Sequence, residues 1–174
     1  MLFISSIIAL ALARSVDCYV APTDLLDGLY SIAEDSNTPV LLAAANSSDL
    51  AAREMSHPHD IRSLLERGLD NPIVTCDGYQ MNLGEYSVAR GAMNDWCNNR
   101  GGYITDRNGV FYSYGSAIAY LCNHFDGTNT CYHEFDTADA LLDVNCAGDR
   151  AGSVHVERYY KTLGRCNAGI RFCF

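Results

Sequence analysis

The hydrophobic pattern has its longest uncharged run between residues 110 and 122, where aromatic, β-branched and small apolar residues follow one another. From Ala117 to Cys122, successive side chains on an extended chain would place apolar groups on both faces. A strand that is apolar on both faces typically lies in the middle of a sheet. The pattern predicts a long central strand over residues 110–123, with Cys122 as a covalent anchor near its end.

Helical spacing recurs on both sides of this strand. Tyr86, Ala89, Met93 and Cys97 follow a capping-box sequence that starts at Asn82, which predicts a helix over residues 83–98. A second apolar stripe predicts a helix over residues 133–145. Nearer the amino terminus, residues 25–33 and 61–69 have the pattern of short amphipathic helices, the latter with Asp60 as its N-cap.

Strand patterns fill the remaining parts of the second half. Residues 72–76 predict a short strand that ends at Asp77-Gly78, and residues 103–105 and 110–112 flank an Asn108-Gly109 pair that is typical of a hairpin turn. Gly115 marks a bulge in the longer hairpin strand. Alternation over residues 153–161 predicts another strand, and residues 169–173 a short final one. The resulting order β-α-β-β-α-β predicts an α+β fold, a two-layer α/β sandwich with both helices on one face of the sheet.

Composition divides the chain into three parts. Apolar residues 2–13, too few to span a bilayer as a helix, precede an Ala11-Leu12-Ala13 cleavage motif, so residues 1–13 are expected to be a signal peptide, with cleavage after Cys18 as an alternative. Residues 14–70 are acidic, poor in aromatic residues and contain one cysteine, and we interpret them as a pro-segment or a flexible arm. Residues 71–174 form the expected folded domain.

The acidic segment contains three candidate processing or modification sites. Asn46-Ser47-Ser48 is a glycosylation sequon. Two L-x-x-R quartets end at Arg53 and Arg67 and are candidate proteolytic sites, although ordinary surface arginines explain them equally well. The formal net charge of −9 argues against a general nucleic-acid binder, and no later segment is long and apolar enough to anchor the chain in a membrane. We expect a secreted monomer.

Eight cysteines in an exported chain of this length predict disulfide bonds. Positions in the predicted elements bring Cys97 near Cys122 and allow Cys131 to meet Cys173, but spacing alone leaves the connectivity open. Cys166 then remains unpaired or joins Cys18. The chain has no pair of cysteines or histidines at zinc-ligand spacing, so no metal site and no cofactor are expected.

From Ile73 onward the chain resembles the killer-toxin-like secreted proteins of fungi, above all the viral killer toxin of type four from smut fungi and its cellular relatives. The element order is also similar to that of the fungal necrosis-inducing effector domain. The resemblance rests on these segments: Val74-Thr75-Cys76-Asp77-Gly78, a helix ending in a cysteine, Gly115-Ser116-Ala117-Ile118-Ala119-Tyr120, Asn129-Thr130-Cys131, Val144-Asn145-Cys146 and the strand in residues 152–160.

The resemblance implies a two-layer α/β sandwich held by disulfide bonds, with pairings like Cys76–Cys146 and Cys131–Cys173. Three features depart from the family pattern: the long acidic segment, fewer cysteines, and no counterpart of the killer toxin's second-helix cysteine. Killer toxins of this type are linked to calcium-channel inhibition through a basic surface, whereas this chain is acidic.

One set of residues has the chemistry of a catalytic site. His155, Glu157 and Lys161 fall on one face of the predicted strand, where a histidine and a carboxylate beside a cation can act as base and acid in phosphodiester cleavage. Solvent-side cross-strand pairs explain the same pattern. His124, His133 and Glu134 flank the loop before the second predicted helix, but scattered histidines are usually surface residues.

The sequence therefore favours a secreted fungal effector or killer-toxin-like protein that acts without catalysis, by binding a protein or cell-surface target of a host or competitor. The alternative is a small secreted hydrolase of ribonuclease type. A binding protein should expose aromatic side chains on a sheet face or loop, and the candidates are Tyr112, Tyr114, Tyr159 and Tyr160. An enzyme should gather His155 and Glu157 in a concave pocket.

Overall fold

The computed structural model describes residues 19–45, except 35 and 37, and residues 69–173. These residues form a large antiparallel sheet with two helices packed on one face. The strands are β1 (Tyr19–Val20), β2 (Gly28–Ala33), β3 (Val40–Ala44), β4 (Pro72–Gln80), β5 (Tyr103–Ile104), β6 (Asn108–Tyr114), β7 (Ala117–Asn123), β8 (Asn129–Thr130), β9 (Arg150–Val156), β10 (Lys161–Asn167) and β11 (Arg171–Phe172). The helices are α1 (Leu83–Asn99) and α2 (Phe135–Cys146).

Seven strands form the main sheet in the order β3-β2-β6-β7-β10-β9-β4, and two short pairs, β1–β11 and β5–β8, lie outside it. Strand β7 is central, with β6 and β10 as antiparallel neighbours. Both of its faces are buried as the sequence predicted: Ala117, Ala119 and Leu121 pack under the helices, and Ile118, Tyr120 and Cys122 pack on the opposite face. That opposite face is covered by the β1–β11 ribbon, whose Tyr19 and Phe172 contact Phe111.

The predicted long strand over residues 110–123 is wrong in one respect, because it is a hairpin of β6 and β7. Tyr114 pairs with Ala117 across the two-residue turn Gly115-Ser116. Gly115 has φ +56°, which suits the first position of a type II′ hairpin turn and is strained for other residues. The glycine that we interpreted as a bulge is therefore the turn itself.

The predicted hairpin turn at Asn108-Gly109 is also wrong, since both residues already belong to β6. Strand β5, the predicted partner in that hairpin, pairs with β8 instead. A Cβ on Gly109 would lie 2.8 Å from a methyl group of Ile32 and 3.1 Å from the Cys173 Sγ. Gly109 therefore serves close packing between layers, and the reversal of the chain occurs before it, at Asp106 and Arg107, which both have positive φ.

Strands β2 and β3 belong to the main sheet and β1 to the ribbon, which corrects the interpretation of this part of the chain as a flexible arm. The helix predicted over residues 25–33 is strand β2, which pairs with β6 from Gly28↔Ser113 to Ala33↔Asn108. Leu29 packs on the helix side of the sheet, whereas Tyr30 and Ile32 pack on the ribbon side. The short apolar pattern fits a helix or a strand, and pairing with β6 decides between them. Proteolytic removal of a pro-segment stays a prediction.

Both helices predicted for the second half are confirmed. The Asn82 side chain accepts hydrogen bonds from the backbone N–H groups of Gly84 and Glu85, as expected for an N-cap. Glu85 does not complete a capping box; its carboxylate accepts hydrogen bonds from the Ser116 N–H and hydroxyl groups in the β6–β7 turn. The helix predicted over residues 61–69, with Asp60, lies largely outside the described residues.

Two strands, β4 and β9, end at residues other than those predicted. Strand β4 continues past Asp77-Gly78 to Gln80 through an irregularity in its pairing with β9. The strand predicted over residues 153–161 is two strands, because β9 ends at Val156 and a short 3₁₀ turn over Glu157–Tyr159 leads into β10. The observed element order is therefore longer than β-α-β-β-α-β, and the ribbon adds a third layer.

Three disulfide bonds among the described residues link distant elements of the fold. Cys76–Cys146, which joins β4 to the end of α2, was predicted and is confirmed. The predicted Cys97–Cys122 and Cys131–Cys173 pairs are wrong; the bonds are Cys97–Cys131 and Cys122–Cys173. Cys122 points away from α1, to the ribbon side of the sheet, so it bonds to Cys173. Cys97 in α1 bonds instead to Cys131, in the segment before α2. Cys166 is buried and unpaired among the described residues, and Cys18 lies outside them.

Candidate functional site

The structure separates the three residues of the candidate catalytic set. His155 points to the ribbon side of the sheet, where its ring nitrogen lies 3.0 Å from the Thr162 hydroxyl. Glu157 is exposed in the 3₁₀ turn, and Lys161 points to the helix side from the start of β10. The predicted shared face depended on one continuous strand, and the turn after Val156 reverses the chain. The geometry does not bring an acid and a base together at His155.

Lys161 instead forms the floor of a groove at the end of the sheet. Its side chain is only 2% exposed, and its ammonium group donates hydrogen bonds to the Glu134 carboxylate and, at 2.7 Å, to the Thr130 carbonyl. The Tyr159 ring centroid lies 5.0 Å from Lys161 Nζ. A buried ammonium group must be paired, and Glu134, the residue before α2, provides the opposite charge.

We call this depression the tyrosine groove. Its volume is about 340 Å³, within the range of about 300–1,000 Å³ for small-molecule sites. It combines two tyrosine rings with hydroxyl, amide, carboxylate and ammonium groups. The lining residues are Tyr103, Thr128, Asn129, Thr130, Glu134, Tyr159 and Lys161.

The walls of the tyrosine groove are held by backbone pairing and a disulfide bond. Tyr103 in β5 pairs with Thr130 in β8, and Cys131 directly after β8 is bonded to Cys97 in α1. The Asn129 amide group donates hydrogen bonds to the Asn123 side chain at 2.6 Å and to the Tyr159 carbonyl at 2.8 Å. These contacts join three segments that are distant in sequence and fix the groove before any ligand binds.

The predicted binding tyrosines divide between the core and the surface. Tyr112 is buried and Tyr114 is partly buried, whereas Tyr159 and Tyr160 are 40% and 60% exposed. The sequence reasoning missed Tyr103, which is 68% exposed and also lines the groove. The available signal was its position directly after Gly101-Gly102, at the start of a predicted strand of only three residues, because a strand that short buries few side chains.

A second polar cluster lies on the ribbon side. The Thr162 hydroxyl oxygen is 2.8 Å from His124 Nε2 and 3.0 Å from His155 Nδ1, and the two imidazole centroids are 5.8 Å apart. Burial, and secondly the nearby His155, lowers the pKa of His124 to about 4. His124 is therefore neutral at physiological pH. His133 lies elsewhere, beside Tyr132, and Glu134 belongs to the tyrosine groove.

Among residues 19–45 and 69–173, as far as they are described, no three histidine, cysteine, aspartate or glutamate side chains converge as metal ligands. The same residues include no helix with the length and apolar character needed to cross a membrane. The sequon at Asn46 and the candidate cleavage sites at Arg53 and Arg67 lie outside the described residues. No protein-family model, no curated protein and no solved structure matches this chain.

Proposed function

We propose that the chain is a secreted fungal effector or killer-toxin-like protein that acts by binding a host or competitor target through the tyrosine groove. The observation that carries the proposal is the groove itself, in which exposed tyrosines stand beside a buried, paired lysine on a rigid frame. Aromatic side chains supply contact area with little loss of conformational entropy, and tyrosine adds a polar tip.

Secretion is supported by two features of the chain. The apolar amino-terminal segment with its Ala11-Leu12-Ala13 motif has the pattern of an export signal. The three disulfide bonds would persist in an oxidising compartment and not in a reducing one. The binding experiment below tests whether the target belongs to a host or to a competitor.

Rigidity supports binding over catalysis. The groove carries one carboxylate, that of Glu134, and one ammonium group, that of Lys161, and each is already engaged by the other in a direct ion pair. A preformed surface loses little freedom when a partner binds, which favours affinity. We therefore assign the groove to recognition, with virulence or antagonism as the consequence of binding.

The experiment measures binding of the labelled, disulfide-bonded protein to intact cells of candidate hosts and competing fungi. We expect saturable binding to one class of cell, and at least a fivefold loss of affinity in a Tyr103→Ala, Tyr159→Ala double variant, which removes both tyrosine rings of the groove. Tyr132→Ala is the matched control, because Tyr132 is 56% exposed but does not line the groove. Absence of saturable binding, or equal loss in the control, would contradict the proposal.

A further inference from the structure

We infer that the tyrosine groove binds a neutral oligosaccharide built of pyranose rings. The inference rests on the proposed binding function and specifies the chemistry of the ligand. It follows from three properties of the groove: its charge, its mixture of hydrogen-bonding groups and the free surface of Tyr103.

The charges of the groove cancel. Lys161 and Glu134 are the only ionised side chains among the seven lining residues, and they form an ion pair with each other. A site for a strongly anionic or cationic ligand needs an excess of the opposite charge, since the ligand must be compensated for the water that it loses. The formal net charge of −9 further opposes a polyanion. A neutral ligand fits this balance.

The groove contains both hydrogen-bond donors and hydrogen-bond acceptors, and they lie close together. Thr128 and Thr130 carry hydroxyl groups, Asn129 an amide, and Glu134 a carboxylate that accepts. The Lys161 ammonium group has three donors, of which Thr130 and Glu134 take two. A purely apolar ligand would leave these groups without partners, at a cost for each buried group. A ring that carries several hydroxyl groups can donate and accept at adjacent positions.

Tyr103 provides the apolar surface that such a ring needs. The side chain is 68% exposed, and its ring edge lies against Gly101, where an added Cβ would be 3.5 Å from Cδ2. The Tyr159 ring already has Lys161 and Arg158 as cationic neighbours, with centroid distances of 5.0 and 5.6 Å. Tyr103 is thus the open platform. The C–H bonds on one side of a pyranose ring carry partial positive charge and pack on the electron-rich face of an aromatic ring.

The test titrates the intact, disulfide-bonded protein with matched pairs of hexasaccharides by isothermal titration calorimetry. Chitohexaose is compared with its deacetylated, cationic counterpart, and cellohexaose with its C6-oxidised, anionic counterpart, β-1,4-linked hexaglucuronate. We expect at least one neutral member to bind, at least tenfold more tightly than its charged counterpart. The inference is overturned if neither neutral sugar binds or if the charged sugars bind equally well.

Variants locate the binding. Tyr103→Ala should weaken binding of the neutral sugar by about tenfold, Tyr103→Phe should keep it, and Tyr132→Ala should leave it unchanged. Because Tyr103 is exposed, these substitutions leave the core intact, and circular dichroism confirms this. Equal affinity in Tyr103→Ala and wild type would overturn the inference.

Competition for cell binding by an excess of the neutral hexasaccharides separates this inference from the proposed function. Loss of cell binding in the presence of the sugar supports an oligosaccharide ligand. Retained binding that still depends on Tyr103 and Tyr159 would overturn the oligosaccharide and leave the proposed function standing, with a protein as the target. Absence of binding to any cell, with or without the sugar, would contradict both.

Discussion

The two faces of the central sheet bury different chemistry, and strand β10 shows the difference residue by residue. Lys161, Leu163 and Arg165 point toward the helices, and Thr162, Gly164 and Cys166 point toward the β1–β11 ribbon. The helix side therefore accepts two long cationic side chains in the same row as a leucine. The ribbon side accepts only small residues from this strand.

Helix α2 and the residue before it explain why the helix side can hold charge. Glu134 pairs with Lys161, while Asp139 and Asp143 accept hydrogen bonds from the Arg165 guanidinium at 3.0 and 2.6 Å. Arg165 is 1% exposed, and its Nε also donates to the Arg150 carbonyl. Buried charges are tolerated when every polar group has a partner, and one helix provides the acids in register with one strand.

On the ribbon side, the described residues include no such helix, and aromatic rings fill the space. Phe111 stacks on Tyr30, and Tyr120 on Phe172. A Cβ on Gly164 would lie 2.4 Å from the Tyr120 ring, so this ring requires glycine beneath it. The layer that covers a strand therefore decides which side chains the strand can bury. The polarity of the strand's own residues does not show whether the helices or the ribbon will cover a given face.

The largest expected effect comes from removing the buried cation of the helix side. Arg165→Met should reduce the free energy of unfolding by about 3–4 kcal/mol, because the buried Asp139 loses one of its two guanidinium partners and keeps only Arg90, while the partly exposed Asp143 loses its ion pair. Urea denaturation followed by fluorescence measures the change. Arg158→Met is the matched control: Arg158 forms an exposed ion pair with Asp70, so the expected loss is only about 0–1 kcal/mol. Similar losses in both variants would contradict the comparison.

The Cys122–Cys173 bond is the covalent link on the ribbon side. Replacing both cysteines by alanine should cost about 2–4 kcal/mol, as is typical for a disulfide bond, because the unfolded chain gains freedom. Replacing Cys97 and Cys131 should cost a similar amount but should also weaken ligand binding, since that bond anchors the wall of the tyrosine groove. Thermal unfolding and the cell-binding assay together check this contrast. Equal effects of both pairs on binding would show that the groove does not depend on its own disulfide.

Acid should act through His124 on the ribbon side of the sheet. The unfolded chain protonates His124 near pH 6.5, whereas burial and His155 lower its pKa in the folded protein to about 4. Between these values the unfolded state binds more protons, so this group lowers stability as the pH falls from 6.5 to 4 and contributes no further change below. Wild type and His124→Gln are compared by urea denaturation at pH 7 and 4.5. The variant should lose less stability over this interval, and parallel losses would exclude His124 as the cause.

The sequence correctly predicted the features of the fold that depend on local patterns. The Asn82 cap and the apolar spacing after it specify α1, and the alternation from Ala117 to Cys122 assigns each β7 side chain to its correct face. Cys76–Cys146 was also predicted. In each case the signal lies within a few residues or follows from the family resemblance.

The predictions that were wrong concern features that depend on contacts between segments distant in the sequence. Strand β2 forms where a helical pattern was equally suitable, because β6 offers a partner about 80 residues later in the chain. The tyrosine groove combines Tyr103, the stretch from Thr128 to Glu134, and the stretch from Tyr159 to Lys161, which no spacing rule connects. Lys161 was assigned to the wrong face since the turn after Val156 changes the alternation.

The smallest expected effect concerns Cys166, the unpaired thiol of the ribbon side. Burial, and secondly the charge of Asp77, raises the pKa of this thiol well above its usual value, and the side chain is 1% exposed. Because alkylation requires an accessible thiolate, iodoacetamide at pH 8 should not modify Cys166 in the folded protein and should modify it fully in 6 M guanidinium chloride. Mass spectrometry of the peptides measures this. If Cys166 is joined to Cys18, no modification occurs in either condition until a reductant is added, so the same measurement decides between the two states that the sequence left open.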